Sequence, residues 1–417
     1  MQVTCGIDWA QDHHDIALVA ADGAVVAQRR IGNDAAGFAE LLAMLAEHDT
    51  RSGLQGEGGG ELVPVAIETS RGLLVACLQA TGRDVYAINP LAAARYRERY
   101  RVSGAKSDAL DAIVLANILR TDRHAHRALP RDSEQARAVA VLARAQQHAV
   151  WDRVQVYNQL RQLLGDFYPA ALAAFAGTGR ATLDSPAART ILIAAPTPQH
   201  ARALTVERLC ALLVQAGRQR GVDREARRLH AILMAPQPRQ AQLVEQAMGR
   251  HLLAVLRHFD VVCGNVDDLT QAAEAAFATH PDARIITSFP GVGLLTGARL
   301  LAELGDDRAR FADAKALKAY AGTAPITRAS GRRALVSARR ARNDWVMAAG
   351  YMWTVTAIRC SPGARAQYDR RRAAGDSHSA AQRNLLNRLL GKLHHCLQTG
   401  VPYDETQAFA SNLPSAA

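Results

Sequence analysis

No two cysteines of this chain stand close enough to make a Cys-x-x-Cys unit; Cys5, Cys77, Cys210, Cys263, Cys360 and Cys396 are scattered along 417 residues. That spacing excludes a zinc ribbon, gives no disulfide framework, and suits a reducing cytoplasm. Aromatic residues are scarce at 5%, so the 49% of hydrophobic residues must build the core largely from Ala, Leu and Val. A helix-rich protein follows. No apolar run reaches the length of a membrane span, and "MQVTCGIDWAQDHHD" carries neither the basic nor the apolar stretch of an export signal. No membrane partner is expected.

Lysine is nearly absent: only Lys106, Lys315, Lys318 and Lys392 among 50 basic residues. Arginine excess beside alanine excess is what a GC-rich genome produces, yet arginine is also the better bidentate phosphate ligand. The formal charge of +11 and a pI of about 9.7 point to polyanionic partners, with DNA or RNA first.

The first third alternates strand and helix patterns. "VTCGID", "DIALVAA" and "AVVAQRRI" read as a three-strand meander, with the turn "ADGA" joining the last two. A helix over "AAGFAELLAMLAEH", a Gly-rich loop, the strand "LVPVAIE", the helix "GLLVACLQATG" and the strand "DVYAINP" follow. That order predicts a ribonuclease-H-like mixed sheet. From Ser133 to about Tyr168 one helix runs too long for an ordinary globular element, which predicts an arm or coiled coil. Further helices fill the middle without a chemistry-bearing motif, and a mainly helical C-terminal part begins near Ser288. The expected class is α/β plus α, divided as 1–128, 129–282, 283–400 and a 401–417 tail.

Asp8 ends the first strand in "GIDWA" and Glu68 ends the fourth in "VAIETS". In a ribonuclease-H-like sheet those strands are neighbours, so both carboxylates meet at one edge. The stretch "KSDALDA" adds Asp108 and Asp111, three apart and therefore on one helix face. Acidic residues in a first turn complement the helix dipole without any further role. Here, however, the remaining helix faces are mostly apolar, so Asp111 should be buried, and buried Asp requires a partner or a metal. Four converging carboxylates form an oxygen cage suited to Mg²⁺. Two such ions roughly 4 Å apart can stabilise the attacking and leaving oxygens of a phosphodiester displacement.

These residues resemble the DEDD signature of bacterial insertion-sequence transposases of family 110, whose N-terminal domain is RuvC-like. The resemblance spans roughly residues 3–165 and resumes over about 283–397. It implies a nucleophilic serine followed by glycine in a C-terminal domain, and "TRASGRRALV" presents Ser330 and Gly331 in the matching place. Family members often carry a Ser-Ser-Gly-Gly run, whereas here Ala329 precedes and Arg332 follows; Ser337 is the competing serine. The alternative for this stretch is a solvated basic loop. The resemblance further implies a DNA recombinase acting on donor and target DNA, a bridge RNA encoded by the element, and dimers or tetramers in the cytoplasm, associated with the nucleoid when acting.

Lys106, Arg328, Arg332, Arg333, Arg339 and Arg340 are the candidate phosphate contacts, with Gly331 allowing close approach of a phosphate to the backbone. "SFPGVGLLTGARL" looks like a helix-hairpin-helix in which Gly291 and Gly293 shape a phosphate-binding turn, or else a tight packing turn. The pairs His13–His14, His124–His126 and His394–His395 lack ligand spacing and read as surface or packing residues. Three rival functions stand beside recombination: a junction-resolving metal nuclease that needs no serine, a sugar-kinase-like phosphotransferase, and a non-catalytic nucleic-acid-binding protein. The phosphotransferase requires an adenosine loop that the sequence does not display.

Overall fold

The structure is a computed structural model that describes residues 3–49, 61–100, 108–176, 182–330 and 333–409. The chain forms two compact units, residues 1–132 and 133–417.

The first unit contains β1 (Val3–Trp9), β2 (His13–Ala20), β3 (Val25–Gly32), α1 (Ala35–Ala46), β4 (Val65–Ile67), α2 (Leu73–Ala80), β5 (Val85–Ala87), α3 (Pro90–Tyr100) and α4 (Asp108–Asp122). The sheet order is β3-β2-β1-β4-β5. The meander pairs antiparallel, while β4 and β5 join β1 in parallel. This is the expected ribonuclease-H-like mixed sheet.

Both faces of its centre are covered, which is why β1 and β4 read as nearly continuous apolar runs. Cys5, Ile7, Ile16, Leu18, Val65 and Ile67 form one core with Leu41 and Leu45 of α1 and with Val75 and Leu78 of α2. On the other face Ala66 and Tyr86 pack with Val114, Leu115, Ile118 and Leu119 of α4. Each such fully buried aliphatic side chain contributes about 1.5–3 kcal/mol.

The second unit is almost wholly helical. It runs α5 (Glu134–Phe167), α6 (Pro169–Ala174), α7 (Pro186–Ala194), α8 (Pro198–Ala201), α9 (Val206–Gln215), α10 (Val222–Met234), α11 (Gln242–Ala278), α12 (Ala283–Thr287), α13 (Leu294–Leu304) and α14 (Ala314–Tyr320). The strands β6 (Ile326–Ser330) and β7 (Arg333–Ser337) follow, then α15 (Asp344–Cys360), α16 (Pro362–Ala373), α17 (His378–Thr399) and α18 (Glu405–Phe409).

Ser133 caps the long helix α5 by accepting from Ala136 N at 3.0 Å. The sequence pattern left open what this helix packs on. Its partner is the equally long α11, running antiparallel: Gln135 meets Thr279, Gln146 meets Thr270, and the Tyr157 ring lies against Phe259. Helices α6–α10 bury Leu164, Phe167, Leu209, Leu229 and Phe259 around one part of this pair. A second core, with Phe277, Phe289, Trp353, Leu385 and Leu389, gathers α12–α18 around another.

Candidate active site

Backbone pairing brings the acidic residues of the first unit together. Register Ile7↔Ile67 between parallel β1 and β4 sets Asp8 and Glu68, the next residue on each chain, side by side. Across the antiparallel pair Asp8 faces Asp15 of β2 directly. On one sheet face Thr4, Gly6 and Asp8 alternate, and α4 lies on that face. Thr4 Oγ1 donates to Ala116 O at 2.9 Å. A Cβ on Gly6 would stand 2.0 Å from Ala112 O and 2.4 Å from Ala116 N, so only glycine lets α4 descend this far. Gln28 Nε2 holds the helix start through Ala109 O at 3.0 Å. The first turn of α4, with Asp108 and Asp111, is thereby seated beside Asp8.

The electrostatics record this convergence. Burial, followed by the charges of Asp111, Glu68, Asp108 and Asp15, pushes the Asp8 carboxyl up to about 6. Asp111 is only 4% exposed, as its apolar helix surroundings predict. Its Oδ1 lies 2.6 Å from Arg97 Nε, yet the N–H does not point at it and neither atom makes a hydrogen bond. On the other side Arg30 grips Asp15 through two bonds of 3.1 and 2.8 Å and reaches Asp108 at 3.7 Å. A buried carboxylate oxygen that accepts no hydrogen bond, with the charges of Asp8, Glu68 and Asp108 acting nearby, is the kind of donor a hard divalent cation takes. Among the described residues, the group whose ligand atoms lie within 4.8 Å of one another is His13, Asp15 and Asp108; of the four predicted carboxylates it includes Asp108 and not Asp8, Glu68 or Asp111.

Sequence reasoning did not single out Asp15, Arg30 or Arg97, and it read His13 as a surface or packing residue although the structure sets it with Asp15 and Asp108. Asp15 carries a signal of its own: it is the acidic residue just before the apolar run of β2, and any register that keeps the meander's faces aligned sets it on the same sheet face as Asp8. His14, by contrast, is buried and faces Asn33 Oδ1 at 3.3 Å, in keeping with a packing role.

Ser330 belongs to the second unit. Where a basic loop was the alternative, the chain forms a hairpin: Ser330 pairs with Arg333 and Ile326 with Ser337. Ser330 is the exposed last residue of β6. Ser337 sits at the hairpin's base. Leu335 and Val336 are 64% and 63% exposed, so the hairpin projects into solvent. Arg328 and Arg333 are on its strands, Arg339 is half-buried after it, and Arg340 is exposed. Lys106, Gly331 and Arg332 lie outside the described residues.

The turn before α13 has two different glycines. Gly291 has φ +78°, and a Cβ there would stand 2.7 Å from Ala357 N, so packing against α15 demands it. Gly293 begins α13 with nothing within 4 Å of its Cβ position. Among the described residues no helix is long and apolar enough to cross a membrane.

Comparison with known proteins decides the family. A transposase model named for the DEDD residues of IS110 matches residues 5–169, and the model for the IS116/IS110/IS902 transposase family matches residues 283–369. A candidate transposase of the IS117 mini-circle of Streptomyces coelicolor is 55% identical over the whole chain and 99% of that protein. The chain belongs to the IS110 family of insertion-sequence transposases. An uncharacterised 42 kDa protein of the insertion element IS900 from Mycobacterium paratuberculosis is 29% identical over 96% of the chain and 97% of its own length. A 44.8 kDa protein of IS116 from Streptomyces clavuligerus is 29% identical over 93% and 92%. As an IS110-type transposase the chain acts on DNA.

Proposed function

We propose that this transposase cuts and rejoins DNA strands with two sets of groups: the carboxylates Asp8, Glu68, Asp108 and Asp111, and the hydroxyl of Ser330. The observation that carries the proposal is the seating of Glu68 and the first turn of α4 beside Asp8, whose carboxyl is raised first by burial and then by the charges of Asp111, Glu68 and Asp108, a strain that a divalent cation would relieve. Mg²⁺, as a pair of ions held by these four residues, would supply charge stabilisation to the phosphodiester in displacement.

In the proposed reaction Ser330 Oγ attacks phosphorus; a Ser–O–P bond forms while one P–O bond of the DNA strand breaks, and the serine proton passes to the departing DNA oxygen. In rejoining, a DNA hydroxyl attacks the phosphoserine, the Ser–O–P bond breaks, and the proton returns to Ser330. The number of phosphodiester bonds is conserved, so no nucleotide triphosphate is consumed. The basic residues Lys106, Arg328, Arg332, Arg333, Arg339 and Arg340 position strands through their phosphates, as do Gly331 and the Gly291–Gly293 turn. We propose residues 1–128 as the carboxylate domain, 129–282 as the helical arm and 283–400 as the serine domain; of the expected tail 401–417, α18 packs into the core of the serine domain through Ala408 and Phe409. Cleavage by both sets of groups requires a composite site, which dimers or tetramers can share between protomers. A bridge RNA encoded by the element pairs with donor and target, so sequence reading is delegated to base pairing.

The test is a cleavage assay on DNA carrying the element's ends. Asp8→Ala and Asp111→Ala abolish cleavage, and Ser330→Ala abolishes a protease-sensitive DNA–protein adduct. Undiminished metal-dependent cutting by Ser330→Ala, without any adduct in the wild type, is the outcome that replaces this reading with a junction-resolving nuclease.

A further inference from the structure

Aromatic residues are scarce in this chain, yet two of its four tryptophans meet at the surface of the second unit. Trp345, in the first turn of α15, stacks on His148 of α5 with ring centroids 4.8 Å apart and planes 26° from parallel. Trp151, one turn further along α5, lies 4.8 Å from Trp345 and 5.5 Å from His148. Core packing does not require this cluster: Trp151 is 44% exposed and His148 is exposed. Buried tryptophan in this protein looks different, since Trp353 is fully covered and donates Nε1–H to Pro290 O at 3.1 Å.

A shallow pocket opens beside the stack, lined by Trp345, Arg144, Gln147, Arg299 and Glu303. Glu303 is spoken for, by Arg144 at 2.7 Å and by Asn343 at 2.7 Å. Among the described residues Arg299 has no carboxylate partner; its guanidinium bonds only the neutral Gln146 side chain. A stacked aromatic surface therefore borders an uncompensated positive charge. A single-stranded polynucleotide satisfies both, with a base on the ring faces and the adjoining phosphate toward Arg299. A second copy of the chain does not satisfy them, because a two-fold interface would set the same surplus charge against itself.

We propose that His148, Trp151 and Trp345 form a base-stacking platform for an unpaired DNA strand, with Arg299 on its phosphate. The choice of DNA rests on the recombinase reading; the platform itself rests on the aromatic and arginine geometry. Trp345 opens the helix that follows the Ser330 hairpin, so a strand engaged there belongs to the same unit as the proposed nucleophile.

The test measures binding of a fluorescent thymidine oligonucleotide of roughly a dozen nucleotides, a length that single-strand folds cover. Trp151→Ala is predicted to weaken binding roughly 5- to 100-fold, the loss of one base–aromatic stack. Trp151→Phe restores most of it, Arg299→Gln weakens it independently, and the corresponding duplex is little affected. Unchanged affinity in Trp151→Ala overturns the proposal, as does an equal loss on duplex. Two other results overturn the choice of partner: tighter binding of RNA of the same sequence, or a change of oligomeric state in Trp151→Ala with DNA binding intact. Oligonucleotide binding by the Trp151 and Arg299 variants and adduct formation by Ser330→Ala are read in separate assays, so failure of the platform and failure of the serine reading are separately visible.

Discussion

Arg97 Nε stands 2.6 Å from Oδ1 of Asp111 without forming a directed hydrogen bond. The arginine supplies positive charge to a carboxylate that is almost completely buried, in the role a divalent cation would fill. Removing the guanidinium leaves Asp111 buried and uncompensated, which costs about 3–5 kcal/mol for a fully buried pair and less here, since the Arg97 side chain is 24% exposed. Arg97→Ala should therefore lower the urea midpoint of the metal-free protein, and added Mg²⁺ or Mn²⁺ should recover most of the loss. Equal destabilisation with and without metal would show that Arg97 acts through packing alone.

Asp111→Asn keeps the shape of the side chain and removes its charge. Divalent-ion affinity measured by calorimetry should drop, and strand cleavage should fall by roughly 10²–10³-fold, as the loss of several kcal/mol of charge stabilisation requires. Asp15→Asn separates the roles of the two edges. If Asp15 serves only to anchor Arg30, the variant loses less metal affinity than Asp111→Asn does.

The raised Asp8 carboxyl gives a pH dependence of definite sign. Its unfolded value is near 3.8 and its folded value about 6. Below the first, both states hold the proton and nothing is lost. Between the two, the folded chain binds a proton that the unfolded chain releases, so stability falls as pH rises, and above about 6 the full penalty persists. For a half-buried group the effect is on the order of 1–2 kcal/mol, discounted for solvent screening. Urea denaturation of EDTA-treated wild type and Asp8→Asn, at about pH 4.5 and about pH 7, isolates it. The difference between the two proteins should favour Asp8→Asn more at the higher pH, and saturating divalent cation should erase that advantage.

Gly6→Ala places a methyl group inside the backbone of α4. The helix must lift, at a cost of about 1–3 kcal/mol or more, and Asp108 and Asp111 move with it. Both thermal stability and metal affinity should decline together. Retained metal affinity at reduced stability would mean that the carboxylates tolerate a displaced helix.

Ser330→Ala and Ser337→Ala distinguish the two serines of the hairpin. Only the first should abolish a covalent DNA adduct on denaturing gels, because Ser330 is exposed at the end of β6 while Ser337 is half-buried at the hairpin's base, paired with Ile326. Adduct loss in Ser337→Ala alone would reassign the nucleophile.

Much of the first unit could be read locally. Buried alternation and apolar runs marked β1, β2, β4 and α4, and Asp8 and Glu68 were recognisable because each terminates an apolar strand. The α3 helix, "PLAAARYRERY", escaped notice; it has many charges and only a weak apolar face, so what identifies it is its packing next to α4. The β6–β7 hairpin escaped for a related reason: most of its described side chains are exposed, and burial is the signal that periodicity reports.

By itself the sequence determined the order of elements, the long capped helix at Ser133, the surplus of arginine and the acidic residues at strand and helix ends, all properties of short segments and their neighbours. Only the tertiary structure decided which of these meet. Register between β1, β2 and β4 put Asp8 beside Glu68 and Asp15, the absence of a side chain at Gly6 lowered α4 onto them, and helix packing in the second unit set Trp151 of α5 against Trp345 of α15. Those contacts join residues distant along the chain, and their free energy comes from pairing and burial that no local pattern encodes.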